Sequence, residues 1–203
     1  MLSRARNTMS YIRDVKNKIR DTYRSRREEL SPEQKAAWDK KIIQNITALA
    51  SYRFADVILA YHPLDGEIDI RPLLESALAT GKKVALPLCY AEGRMDFFYI
   101  TSLNELNSGK FGLKEPSPSN EKYRCDDSSP ALMIIPALVY DALGYRLGYG
   151  RGYYDRYVNN FRGVKAGLCY RSSLHPTPLP HGRFDFAVDY IVTEKGVKLI
   201  EKA

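Results

Sequence analysis

Val57-Ile58-Leu59-Ala60-Tyr61 is followed by the turn His62-Pro63-Leu64-Asp65-Gly66-Glu67, and residues 83–88 read Lys-Val-Ala-Leu-Pro-Leu. Both apolar runs are too short for a helix, and they read as buried strands. Between them, Asp69 is a suitable cap for a helix from about Ile70 to Thr80, which Gly81 ends. Strand, helix and buried strand in succession are the unit of an α/β fold with a mostly parallel sheet.

The same pattern continues outward from this unit. Met95–Ile100, Leu132–Ile135, Val164–Cys169 and Tyr190–Val192 read as further strands, and residues 153–161 read as a short helix. Residues 107–130, rich in Ser, Pro, Asn and charge, read as a long loop. Upstream, Ile12, Val15, Ile19, Tyr23 and Leu30 fall at helical spacing over residues 11–30. Arg13, Lys16, Arg20, Arg24 and Arg27 line the opposite face of that helix. Ser31-Pro32-Glu33-Gln34 is a capping box that opens a second helix to about Ala50, burying Trp38, Ile42, Ile46 and Leu49.

The 203 residues are expected to form a single α/β domain, 1–203. A domain of this size buries roughly 70% of its unfolded surface and needs no disulfide or metal staple. With 44% hydrophobic and 27% charged residues, the chain is neither fibrous nor wholly disordered. No apolar run approaches the roughly 20 residues of a membrane span. Residues 1–8 are expected to be a disordered extension ahead of a start at Met9. Three cysteines with no CxxC spacing point to a reduced, cytoplasmic protein.

The net charge of +7 is concentrated at one end: residues 1–30 hold nine Lys/Arg and four Asp/Glu, leaving +2 for the rest. A basic segment on a near-neutral body attracts nucleic acid, a membrane surface or a phosphorylated small molecule, and charge alone does not choose among them.

In α/β sheets, ligands bind beyond the carboxyl ends of the strands. The densest chemical signal lies in such a loop, Asp141-Ala-Leu-Gly-Tyr-Arg-Leu-Gly-Tyr-Gly-Arg-Gly-Tyr-Tyr-Asp155. Gly148, Gly150 and Gly152 let backbone N–H groups crowd round an anion, and the following helix would add its positive end. Arg146 and Arg151 supply guanidinium groups suited to phosphate. Asp155 supplies a carboxylate for Mg²⁺, which needs only one or two. The loop is neither a Walker loop nor a dinucleotide fingerprint. Lys16 and Arg20, at i and i+4, form a second cationic pair. Glu67 is placed to accept from a heterocyclic N–H or amine. Asp185 and Asp189 bracket the last loop, and Asp189, opening the last strand, is a candidate to reach the crevice.

Leu147-Gly-Tyr-Gly-Arg-Gly-Tyr-Tyr-Asp-Arg156 resembles the G-x-G-x-G-Y-Y-D signature of the 5-formyltetrahydrofolate cyclo-ligase family. The resemblance extends in order through Lys16-Asn-Lys-Ile-Arg20, Tyr61–Glu67, Lys83–Pro87, Met95-Asp-Phe97, Ile134–Asp141 and Val188–Glu194, nearly the whole chain. It implies a three-layer α/β/α fold like that of sugar-phosphate isomerases and CoA-transferases. It implies a MgATP-dependent closure of 5-formyltetrahydrofolate to 5,10-methenyltetrahydrofolate, releasing ADP and phosphate. Carried over residue by residue, Lys16, Arg20 and the loop Arg146, Leu147, Gly148, Tyr149, Gly150, Arg151, Gly152, Tyr153 and Tyr154 would bind ATP. His62, Glu67, Tyr149, Gly150, Arg151, Gly152 and Tyr153 would contact the folate. Asp155 and Asp189 would serve Mg²⁺, and Arg151 and Tyr153 would act in catalysis. The expected partners are these small molecules alone, with no nucleic acid and no membrane, and the chain acts as a monomer. A sugar-phosphate isomerase on the same fold would need no ATP, and a nucleic-acid module would bind with steep salt dependence.

Overall fold

The computed structural model describes residues 2–109, 112–125 and 129–201, with side chains from residue 11 onward. The chain runs α1 (Leu2–Glu28), α2 (Pro32–Thr47), α3 (Ala50–Arg53), β1 (Val57–Leu59), α4 (Arg71–Ala79), β2 (Lys83–Cys89) and β3 (Met95–Ile100). There follow β4 (Asn107–Ser108), β5 (Lys114–Glu115), β6 (Ala131–Pro136), β7 (Val139–Tyr140), β8 (Arg146–Leu147), α5 (Tyr153–Tyr157), β9 (Val164–Leu168), β10 (Tyr190–Thr193) and β11 (Gly196–Leu199). Residues 2–8, expected as a disordered extension, are the first turns of α1, which thus starts well before the expected residue 11 and ends at Glu28.

Seven strands form the central sheet in the order β11-β10-β9-β6-β1-β2-β3. Four pairings are parallel, and the two edge pairings, β2–β3 and β10–β11, are antiparallel. The period of two along each strand sorts side chains to two faces. Ile58 and Ala60 of the first strand segment join Ile42, Ile46, Leu73 and Leu74 in a core beneath α2 and α4. Val57 and Leu59 point the other way, into a core with Phe97, Val158 and Phe161 that Tyr153, Tyr154 and Tyr157 of α5 cover. The result is the expected three layers.

Local chemistry sets the boundaries. The Ser31 hydroxyl accepts from the Gln34 N–H at 3.2 Å, with Pro32 in the first turn of α2. The second helix stops at Thr47, and α3 is a separate turn. The fourth helix starts at Arg71, one residue later than expected, with Asp69 still holding the Arg71 N–H at 3.1 Å. The segment expected as a plain loop over residues 107–130 carries the two-stranded ribbon β4–β5. The ribbon β7–β8 and the edge strand β11 are likewise additions to the expected elements.

The first helix docks by its apolar stripe: Tyr23, with Ile19 beside it, packs on Val139, Leu147 and Leu179. The expected separation of faces does not hold: Lys16, Arg20 and Arg27 are half-buried on the same docked side, where they reach Asp185, Gly148 and Ala137, while Arg13 and Arg24 are exposed.

Candidate active site

The strand order reverses at β1. The chain moves from β1 outward to β2 and β3, then returns to place β6, β9 and β10 on the other side. A crevice opens at such a reversal, beyond the carboxyl ends. Here it is a cavity of about 400 Å³, lined by the loops after β1, β2 and β6, by the ribbon β4–β5, and by α1.

The wall formed by α1 and the glycine loop carries the cations Lys16, Arg20, Arg146 and Arg151. The fifteen-residue segment from Asp141 to Asp155 is anchored by Asp141, fully buried, whose carboxylate accepts from the N–H groups of Leu143, Tyr145 and Leu179. The buried Arg146 side chain lies on the Phe186 ring at 4.0 Å and donates to Asp155 Oδ1 at 2.9 Å. Gly150 and Gly152 have φ of +93° and +69°, so the loop takes a path closed to most side chains. Arg20 Nε donates to the Gly148 carbonyl at 2.8 Å, and Lys16 Nζ meets Asp185 Oδ2 at 3.2 Å. The first helix thus brings two cations to the glycine loop from outside it. The expected contribution of a helix end is not realised, because α5 spans only five residues.

The walls formed by the segments after β1 and by β2, β3 and the β4–β5 ribbon are apolar with carboxylates. Pro87, Met95, Leu113, Tyr61 and Leu64 offer flat or aliphatic surface. Glu67 is buried there and accepts from the Leu64 N–H at 2.9 Å. Burial pushes its carboxyl up, opposed by the Leu64 N–H, the Arg27 cation and the Tyr149 hydroxyl. The Tyr149 phenol is itself pushed up to about 12 by burial and by Glu67. His62 stands on the same wall and is pushed down by burial and by Arg71, so its ring is neutral at pH 7. Across the cavity, Glu115 accepts from the Cys89 N–H at 3.0 Å. The Cys89 thiol, raised to about 12 by burial and Glu115, is no nucleophile at neutral pH.

Lys16, Arg20, His62, Glu67, the residues 146–154 and Asp155 all line this one cavity. Asp189 does not join them. It precedes β10 at the amino end of that strand, where its carboxylate accepts from the Lys165 N–H at 2.8 Å and pairs with Lys165 Nζ at 3.0 Å. Its place opening the strand, which suggested reach into the crevice, puts it at the wrong end of the sheet. Asp185, four residues earlier, is the aspartate of that loop that lines the cavity. Among the described residues, no group of three or more His, Cys, Asp or Glu stands together as a metal cluster.

The model of the 5-formyltetrahydrofolate cyclo-ligase family matches residues 12–194. This chain belongs to that family. The cyclo-ligase of Escherichia coli K12 is 28% identical over 183 residues, covering 86% of this chain and 97% of that one. A probable cyclo-ligase of Caenorhabditis elegans is 25% identical over 199 residues, covering 92% and 96%. In three dimensions the chain superposes on the 5,10-methenyltetrahydrofolate synthetase of Aquifex aeolicus with a TM-score of 0.80 and 30% identity, over 93% and 94% of the two chains. The cyclo-ligase family match thus spans every element that builds the cavity, from α1 to β10.

The sequence does not set apart Glu115 and Asp185, which line the cyclo-ligase cleft, or Arg27, which acts on Glu67 from beside it. Glu115 sits in a stretch whose composition signals only a loop. Asp185 and Asp189 have the same type and similar setting, and only the sheet topology separates them. Arg27 is legible as one cation of a stripe. Nothing in its spacing shows that its guanidinium donates to the Ala137 carbonyl at 2.6 Å.

Proposed function

We propose that this chain closes 5-formyltetrahydrofolate to 5,10-methenyltetrahydrofolate in a reaction that consumes MgATP and releases ADP and phosphate. The observation that carries this reading is the mixed lining of the cavity. One cavity is lined both by apolar residues with the buried Glu67 and by the glycine loop with Arg20, Arg146 and Arg151, so a donor-rich heterocycle and a triphosphate would find partners in the same space.

The formyl oxygen of the substrate is a poor leaving group. The γ-phosphoryl group moves onto it: an O–P bond forms, the bond to the β-phosphate breaks, and ADP leaves with the electron pair. The formyl carbon becomes an iminium carbon. N10 then attacks it, loses its proton, and the C–O bond breaks as phosphate departs. The protein positions the two substrates and neutralises phosphoryl charge. Lys16, Arg20 and Arg146 hold phosphates with the backbone of Gly148, Gly150 and Gly152. Arg151 stabilises the transferring group, and Tyr153 packs beside it. Glu67, with His62 and Tyr149 near it, receives the N–H groups of the pterin.

Asp155 fits a Mg²⁺ ion. It is partly exposed to the cavity and has one oxygen on Arg146, and Mg²⁺ asks for one or two carboxylates with phosphate and water completing its shell. The ion would neutralise phosphate charge. Asp189, paired with Lys165, is a poor candidate for the same ion. In this reading the chain acts as a monomer on these small molecules, with neither nucleic acid nor membrane as a partner. Cys89, Cys125 and Cys169 are all free thiols, in keeping with a reducing cytoplasm.

The test is to mix purified protein with 5-formyltetrahydrofolate and MgATP and follow the near-ultraviolet absorbance of the methenyl product. The expected signal requires both ATP and Mg²⁺ and weakens at least tenfold in Arg151→Ala. Folded protein that gives no signal would contradict the reading.

A further inference from the structure

Two glycines from different segments clear a place for one side chain. Gly93, in the turn between β2 and β3, has φ of +75°, and Gly152, which opens α5, has φ of +69°. A Cβ added at Gly93 would collide with the guanidinium of Arg156, and one added at Gly152 would come within 3.1 Å of the same Nη1 atom. In that space Arg156 Nη1 donates twice, to the Arg151 carbonyl at 2.9 Å and to the Gly93 carbonyl at 3.3 Å.

Local structure brings the side chain there. Arg156 lies one turn after Gly152, and its backbone N–H donates to the Gly152 carbonyl at 3.3 Å. Side chains on a helix lean toward its amino end, which returns the guanidinium to the corner at Arg151 and Gly152. The hairpin tip meets it there. The Tyr90 N–H donates to the Arg94 carbonyl at 2.8 Å, and the Arg94 guanidinium covers the Tyr90 ring at 4.5 Å. Glu92, between them, has φ of +60°, the one non-glycine residue in that region among the described residues. Such a conformation persists where its surroundings fix it. The Tyr153 hydroxyl adds a second tie, to the Tyr90 carbonyl at 3.3 Å. Cys89 and Met95, the register pair next to the tip, line the cavity, as do Arg151, Gly152 and Tyr153. The exposed Arg156 therefore joins two cavity walls from behind.

We propose that Arg156 is a positioning residue for phosphoryl transfer, fixing the backbone at Arg151 and Gly152 against the β2–β3 hairpin. This rests on the cyclo-ligase reading above. The Arg151 carbonyl and the Gly152 N–H share one planar peptide unit, so a donor that pins the carbonyl also sets the direction of that N–H. The same bond fixes the point from which the Arg151 side chain starts. A displacement of about 1 Å at a reacting group can cost on the order of 100-fold in rate. Arg156 itself touches neither substrate, and its bonds compete with water, so its loss costs placement more than stability.

The test is Arg156→Ala, read by kinetics, melting and amide hydrogen exchange. We expect kcat to fall about tenfold or more, with the melting temperature within about 4 °C of the wild type. Ethylguanidinium, which replaces the missing part of the side chain, should restore part of kcat. Tetramethylammonium at the same ionic strength, a cation without an N–H, should not. Gly93→Ala puts a methyl group where the guanidinium sits. It should lower kcat alone and add less than about twofold in the Arg156→Ala background, as for two changes that break one contact. Exchange should quicken together at residues 91–94 and 150–153 in Arg156→Ala. Unchanged kcat, a loss that ethylguanidinium leaves untouched, or unchanged exchange in both segments overturns the assignment. Should Arg156→Ala not fold, Arg156→Lys, one bond shorter, must show lowered kcat and quicker exchange in the same two segments. A wild-type protein that forms no methenyl product overturns the underlying reading. A wild type that forms it while Arg156→Ala matches it overturns the Arg156 assignment alone.

Discussion

Lys16 Nζ lies 3.2 Å from Asp185 Oδ2, joining the first helix to the last long loop across the mouth of the cleft. Both side chains are partly exposed, so the pair contributes at most about 1 kcal/mol to stability. Its meaning is functional. A phosphate that binds Lys16 must displace Asp185 or share the ammonium with it.

Lys16→Met is therefore expected to raise KM for ATP about tenfold, the equivalent of about 1.4 kcal/mol, with KM for the folate little changed. Asp185→Asn is expected to tighten nucleotide binding, because Lys16 no longer exchanges one anion for another. Calorimetric titration with MgADP checks both. Weaker binding by Asp185→Asn would instead give that carboxylate a direct part in holding the metal.

Glu67 links substrate binding to stability. Its folded pKa is raised, chiefly by burial. Between the unfolded and the folded value the native state holds the extra proton, so stability falls as pH rises through that window. Glu67→Gln removes the burdened charge. The expected result is a higher melting temperature at pH 7 with no gain at pH 4, together with at least a tenfold higher KM for the folate. Thermal melts across that pH range check the first part and steady-state kinetics the second. A variant less stable at pH 7 than the wild type would show that the Leu64 and Tyr149 contacts outweigh desolvation.

Gly150 holds the glycine loop against α1. Its φ is +93°, and an added Cβ would come within 3.4 Å of the Arg20 guanidinium carbon. Gly150→Ala is expected to lose roughly 1–3 kcal/mol from the strained backbone. It should also raise KM for ATP, because a loop that relaxes from this φ no longer holds the Gly148 carbonyl on Arg20 Nε. Denaturant unfolding and kinetics together read this. Gly148→Ala is the contrast: its Cβ meets nothing within 4 Å and its φ lies outside the left-handed region, so its stability should change by less than about 1 kcal/mol.

Much of this was legible in the residues. Buried parallel strands such as Val57–Leu59 announce themselves as short apolar runs, and the glycine loop carries its own chemistry. What failed to show depends on distant parts of the chain. The edge strand Gly196–Leu199 is mostly exposed and pairs on one side only, so it lacks the apolar signature. Lys114–Glu115 and Arg146–Leu147 are two-residue strands whose pairing is set by the loops they close. Asp189 misses the crevice because it opens its strand: β10 runs parallel to β9, so its amino end lies opposite the carboxyl ends where the crevice opens.

The most direct test of the central claim, that the formyl oxygen receives the phosphoryl group, is the fate of that oxygen. The protein would be given 5-formyltetrahydrofolate labelled with oxygen-18 in the formyl group, with MgATP, and the phosphate released would be weighed by mass spectrometry. Phosphorylation at the formyl oxygen requires one labelled oxygen in each phosphate formed per methenyl product. Unlabelled phosphate, with the label lost to water, would contradict it and would mean that ATP is hydrolysed apart from the carbon chemistry.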